Sequence, residues 1–249
     1  MGLILPLLQA AVQQPDASQI MGKSRDQSIT GSLNATVVLT ITEKGGSIRN
    51  RTISMMTKSY ADGLEKRIIR FIEPADVRGT SMLVVDNKNS ADEMWIYLPA
   101  LKKTRRIVTS EKGKSFMSSE FSNADMSSPA ISDFTHKHLE KSGTNNQWII
   151  ESIPVNEDKA DEYGFSKKIS YISIDKNQVL KMEFYNFDKE LFKVIEIKSI
   201  FPLTNGKFMV KDMVAINLNT NRKSEILFSN INEEEKIDDS NFTIQNLER

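Results

Sequence analysis

The sequence predicts a mostly β protein of the α+β kind, in which one large antiparallel sheet curls over a few helices. Three observations carry this. Apolar and polar residues alternate in run after run, from Ala35 to Ile231. Turn-forming pairs separate the runs at short intervals, which suits hairpins and not the long crossovers of a parallel sheet. Helical signals are few, so so large a sheet must bend on itself, or around those helices, to hide its apolar face. The 249 residues allow one large β domain or two small ones, and the unbroken pattern favours a single domain over residues 16–249.

Taken in order, Leu3–Leu8 is an apolar run followed by Gln9-Ala10-Ala11. It reads either as the remnant of an export signal lacking its basic start, or as a first helix or introduced segment spanning residues 1–15. The run is too short to span a bilayer. Asp16 or Ser18 can cap a helix carrying Ile20 and Met21, bounded by Gly22 and Ser28. Strands are predicted over 35–42, 49–58, 64–72, 82–85, 93–98 and 105–108, with turns at Glu43–Gly46, Asp62-Gly63 and Asn87–Ser90. Residues 109–129 read as a long loop, and long ordered loops are often functional. Asn123–Ile131 is the candidate linker between two halves of one sheet. Ser132-Asp133 can cap a short helical turn around Phe134. The second half is a meander with strands over 148–153, 167–174, 179–185, 191–197, 208–218 and 224–231. Glu157–Glu162 reads as an acidic loop, and Asp238–Arg249 as polar coil anchored by Phe242 and Leu247.

Composition removes several classes of function. The 33 basic and 33 acidic side chains cancel, so bulk attraction to nucleic acid is not implied. The chain has no cysteine, which excludes a thiol nucleophile, a thiolate metal site and disulfides. His136 and His138 share one face of a strand, as a metal pair would, but no third ligand accompanies them, and they read as solvent-facing or protein-bonded histidines. The serines of 115–128 lack the G-x-S-x-G turn of a hydrolase. The glycines lack the spacing of a phosphate cradle. No cofactor is expected.

Two features point instead to binding. Lys102, Lys103, Arg105 and Arg106 place four cations within five residues, which suits a phosphate or an acidic partner, or else a solvated face. The chain also has 11 methionines and 12 phenylalanines. Met55, Met56, Met82, Met94, Met182, Met209 and Met213 fall in strands, where methionine can fill a core or adapt to an irregular apolar ligand.

The segment WIYLPALKKTRRI followed by SFMSSEFSNADM resembles the outer-membrane lipoprotein-sorting proteins, the broad LolA/LolB-like carrier family. EPADVRGTSML before it, SDFTHKHL after it and the closing FTIQNLER extend the resemblance over about residues 16–249. The loop departs from the family's glycine-aspartate phrase at Ser118, Glu120, Asn123 and Ala124. A lipobox cysteine is absent, so any lipid anchor would lie outside this chain.

The resemblance implies a half-barrel with an apolar cavity and a non-enzymatic periplasmic carrier of lipid or lipoprotein acyl chains. Its cargo would move toward the outer membrane, with an RND-type exporter, another transporter or an acceptor lipoprotein as partner. On that reading the first half would line the cavity with Val37, Leu39, Met55, Ile69, Phe71, Met82 and Val84. Met182 and Phe184 would join from the second half. Trp95 and Tyr97 are assigned to the lining too, although Met94 and Ile96 are equally apolar and alternation leaves the facing set open. Ser115, Phe116, Met117 and Phe121 would act in a lid or docking loop. Glutamate at Leu39 or Phe71 would then abolish lipid binding and leave the fold intact. The alternative is a surface or periplasmic interaction protein with a packed interior, using residues 102–129 to bind a partner protein or host ligand.

Overall fold

The computed structural model describes residues 14–28, 30–88, 90–140, 142–234 and 236–249. The run Leu3–Leu8 and its Gln9-Ala10-Ala11 tail lie outside the described residues. Helix α1 (Ala17–Gln27) starts where the Asp16 carboxylate accepts from the Ser18 and Gln19 backbone N–H groups, and it closes at Ser28. Six strands follow: β1 (Leu33–Thr42), β2 (Ile48–Ser59), β3 (Glu65–Glu73), β4 (Ser81–Asp86), β5 (Glu93–Leu98) and β6 (Lys103–Arg106). After the short helix α2 (Thr109–Lys112) come β7 (Phe134–His138), β8 (Gln147–Pro154) and helix α3 (Glu157–Tyr163). The meander closes the fold with β9 (Lys167–Ser173), β10 (Val179–Tyr185), β11 (Leu191–Pro202), β12 (Phe208–Asn217) and β13 (Arg222–Glu233).

All thirteen strands form one sheet in the order β6-β5-β4-β3-β2-β1-β13-β12-β11-β10-β9-β8-β7. Each pairing is antiparallel, and β1 meets β13 where the two halves join. In a flat sheet with strands about 4.8 Å apart, β3 and β7 would sit roughly 40 Å from each other. Here Ile69 of β3 and Phe134 of β7 line one cavity, so the sheet is curled into a half-barrel. It is not closed, because β6 and β7 end the order as unpaired edges. Those edge strands are consecutive in the chain, so the backbone after β6 crosses the open side to reach β7.

Several local expectations change. β6 spans Lys103–Arg106 and not 105–108, and helix α2 opens the stretch read as a loop over 109–129. The acidic stretch at 157–162 is helical: Asn156 caps it by accepting from the Lys159 N–H, and Glu157 and Asp158 sit in the first turn, where the helix dipole favours anions. Phe134 begins a strand, and the short turn covers Ile131–Asp133 just before it.

The two faces of the sheet are covered differently. Inside, β1 shows the alternation plainly: Leu33, Ala35, Val37, Leu39 and Ile41 are buried, and the residues between them are half-buried. These inward residues join one core with Phe116, Phe121, Ala124 and Met126 of the crossing segment. Helix α1 lies on the same side, packing Ala17, Ile20 and Met21 on Ile150 and Ile172. Outside, the C-terminal segment packs Ile237, Phe242 and Leu247 against Ile68, Leu83, Trp95 and Tyr97. Phe242 and Leu247 are thus the anchors the sequence suggests. No described helix is long and apolar enough to cross a membrane.

Candidate functional site

The inner face divides into a filled part and an open part. The crossing segment fills the first. Phe116 and Phe121 are 3% and 1% exposed, and Phe116 packs on Phe71 with ring centroids 5.9 Å apart. Polar groups from both sheet halves hold the segment down. Arg51 donates to the Met117 carbonyl, and Arg222 donates to the Ser118 carbonyl at 2.9 Å and pairs with Glu120 at 2.7 Å. Asn217 donates to Glu120 at 2.8 Å, Lys193 pairs with Asp125 at 2.9 Å, and Arg67 donates to the Met126 carbonyl at 2.5 Å. Ser115 Oγ donates to the Ser119 carbonyl at 2.6 Å, which tightens the turn. The predicted lid or docking loop therefore packs into the concavity: Phe116 and Phe121 are core side chains, and Met117 packs on that core.

Helix α2 is clamped to α3 as well. Lys112 pairs with Glu162 at 2.6 Å with both side chains buried, and Lys159 bridges Glu162 and Asp133 at 2.9 Å each. Beside them Gly113 and Gly164 touch backbone to backbone.

Between α1, the crossing segment and the sheet lies a cavity of about 340 Å³, at the small end of the roughly 300–1,000 Å³ typical of ligand sites. Val37, Ile53, Met55, Ile69 and Ile226 line it near the junction of the sheet halves. Met182, Ile197, Phe208, Met209, Met213 and Phe228 form the wall from β10 to β13. Met21 and Met126 close it from α1 and the crossing segment, so six methionines face one space. Polar contributions come from Arg25, Arg67, Asp125, His136 and Lys168, among others.

The predicted lining residues thus separate into three groups. Val37, Met55, Ile69 and Met182 face the cavity. Leu39, Phe71, Met82, Val84 and Phe184 point inward but belong to the packed core rather than to the cavity wall. Glutamate at Leu39 or Phe71, which are 0% and 1% exposed, would therefore break the fold and not merely empty the cavity. Trp95 and Tyr97 lie on the outer face under the C-terminal segment, while Met94 and Ile96 point inward. The reason is the parity of β5: both sets are apolar because both faces of this strand are covered.

The basic cluster is away from the cavity. Lys102 and Lys103 are exposed, Arg105 pairs with Glu111 at 2.6 Å and Arg106 with Glu93 at 3.4 Å. On the free edge β6 such charges discourage pairing with another chain. His136 and His138 both have protein partners. His136 meets Ser152 Oγ at 2.8 Å and the Ile131 carbonyl at 3.2 Å; His138 meets Ser142 Oγ at 2.7 Å and the Pro15 carbonyl at 2.8 Å. Burial holds the His136 imidazole below its usual range, partly offset by the Ile131 carbonyl, with Lys168 adding repulsion.

Lys168 was not singled out from the sequence. The signal was present, because alternation sets it with Ser170 and the fully buried Ile172 on one face of β9, an odd place for a lysine. Phe134, Phe208 and Phe228 were also missed, since nothing local marks which strands meet across the curl.

Comparison with known proteins agrees with this fold. The family model described as "-like: Uncharacterized protein" matches residues 63–249. No curated protein matches the chain. Among solved structures, an outer membrane lipoprotein-sorting protein domain from Vibrio parahaemolyticus superposes with a TM-score of 0.84 at 24% identity, over 94% of this chain and 98% of that one. A DUF1329 family protein from Desulfovibrio piger superposes at 0.82 with 24% identity, over 93% and 97%. A LolA superfamily protein from Nitrosomonas europaea superposes at 0.70 with 15% identity, over 92% and 98%. At these identities the likeness is one of fold.

Proposed function

From a chain that belongs to the family matched over residues 63–249 and has the LolA-like fold, we propose a non-enzymatic periplasmic carrier of lipid or lipoprotein acyl chains. The observation that carries the proposal is the methionine- and phenylalanine-walled cavity between α1, the crossing segment and the sheet. Each buried methylene contributes about 0.8 kcal/mol. About ten of them contribute roughly 8 kcal/mol, which exceeds the lower end, about 4 kcal/mol, of the cost of immobilising a ligand. Methionine side chains can repack around chains of different length and unsaturation. The sorting-protein fold supports cargo movement toward an outer membrane, with a membrane transporter or an acceptor lipoprotein as partner.

The test is native mass spectrometry of protein purified from a bacterial periplasm, with lipid extraction from the same sample. Near-stoichiometric phospholipid, fatty acid or acylated peptide is expected. Protein that is empty, and stays empty after incubation with vesicles, would instead favour an interaction protein that keeps the fold without a cargo.

A further inference from the structure

A row of polar residues crosses the inner face of the second half of the sheet. Successive strand partners are His136, Ser152, Lys168, Phe184, Lys193, Asn217 and Arg222. The crossing segment answers this row with carboxylates. Asp125 takes Lys193, and Glu120 takes both Asn217 and Arg222. His136 is occupied by Ser152 and the Ile131 carbonyl. The other cations of the cavity are likewise paired, Arg25 with Asp86 at 2.8 Å and Arg67 with Glu65 at 2.5 Å.

Lys168 is the exception. Its ammonium stands 5.4 Å from the centroid of the Phe134 ring in the cavity wall. Among the described residues no carboxylate lies within ion-pair distance of it. Asp125 is its nearest countercharge in effect, but the Asp125 carboxylate is engaged by Lys193 and by the Ser122 N–H at 2.7 Å. The Lys168 side chain is half-buried and its ammonium is not sealed from solvent. A chain filling the cavity would strip water from that charge, and an oxyanion at the head of the chain would replace it.

We infer that Lys168 is the anchor for an oxyanion at the head of a single alkyl chain, whose tail lies among the methionines of the cavity. This rests on the carrier reading and names its ligand class: a fatty-acid carboxylate or a phosphate ester, in preference to an uncharged chain of the same length. The volume suits one chain rather than two. The charge state is tunable near neutrality. Burial pushes the Lys168 ammonium down to about 8; Asp125 opposes this and Lys193 reinforces it. His136, Arg67 and Arg25 complete the charged or titratable set on the cavity wall. With a carboxylate ligand that stays ionised, affinity is full below about pH 8. It then falls by about tenfold per pH unit until the higher pKa of the occupied site is reached.

The experiment is calorimetric titration of the full chain with dodecanoate, dodecyl phosphate and dodecanol at pH 7, repeated with Lys168→Met and Lys168→Arg. At least one anionic ligand is expected to bind about tenfold or more tightly than dodecanol. The tighter anion names the head-group source. Lys168→Met should remove that preference, so that the anionic ligands bind no more tightly than dodecanol, and Lys168→Arg should keep it. Melting curves certify each fold, and Lys168→Gln replaces the methionine variant if that one does not fold. A native protein without anion preference, or a preference untouched in Lys168→Met, overturns the anchor and leaves the carrier standing. If none of the three ligands binds, both readings fall.

Discussion

Asp92 shows what a single carboxylate does in this fold. It is buried beside Asp86 and accepts from the Asn87 N–H at 2.9 Å. Burial pushes its pKa up to about 6, and the Asp86 charge adds to this against the Asn87 N–H, the Ser127 hydroxyl and Lys112. The folded state therefore holds this proton more tightly than the unfolded chain. Stability is gained as pH falls from about 6 toward 4 and lost as pH rises through the same window. Asp92→Asn keeps an acceptor for Asn87 and carries no charge. It should be more stable than the parent at pH 7 by roughly 1–3 kcal/mol, or about 2–4 °C per kcal/mol in melting temperature. The gap should vanish near pH 4; equal melting curves at pH 7 would refute this account. Lys168 belongs at the same scale: it is half-buried, and partial desolvation of its ammonium, which holds the pKa down to about 8, costs stability at neutral pH. Lys168→Met should therefore melt no lower than the parent in scanning calorimetry, as expected where ligand binding and not folding retains the charge.

Among elements, the contact of α2 with α3 holds the crossing segment at its entry. A Cβ on Gly113 would fall 2.8 Å from the Gly164 nitrogen, so Gly113→Ala must push two backbones apart. A loss of about 1–3 kcal/mol is expected in urea unfolding, with the slope unchanged. Glu162→Ala strands buried Lys112 and should cost about 3–5 kcal/mol. Both changes open one contact, so the double variant should lose less than their sum. Additive losses would show that α2 and α3 are held separately. This contact was not readable in advance. The α3 cap at Asn156 and its acidic first turn are local signals that read equally well as solvated loop, and Gly113 looks like an ordinary turn glycine until its neighbour is known.

For the whole molecule, the sheet needs cover on both faces, and the C-terminal segment supplies part of it outside. Ser81 donates to the Leu247 carbonyl at 2.5 Å, and Arg70 to the Asn246 carbonyl at 2.7 Å. Removing residues 237–249 would bare Ile68, Leu83 and Trp95. Red-shifted tryptophan emission, stronger binding of an apolar dye and a lower melting midpoint are expected; unchanged emission and midpoint would show that the segment only rests on the sheet. Much of this architecture is legible from residues alone. Alternation and turn pairs together located twelve of the strands, the sixth two residues late. Asp16 or Ser18 marked the start of α1, of which Asp16 is the cap, and the turn pairs set antiparallel neighbours, because each depends on contacts within a few residues. Alternation, however, reports a period and not a direction. It could not say that Met94 faces in and Trp95 out, that residues 107–133 run through the concavity, or that Asp125 answers Lys193 and leaves Lys168 open. Those follow from how far the sheet curls and which distant strands share its hollow, a balance of burial on two faces that no local segment contains.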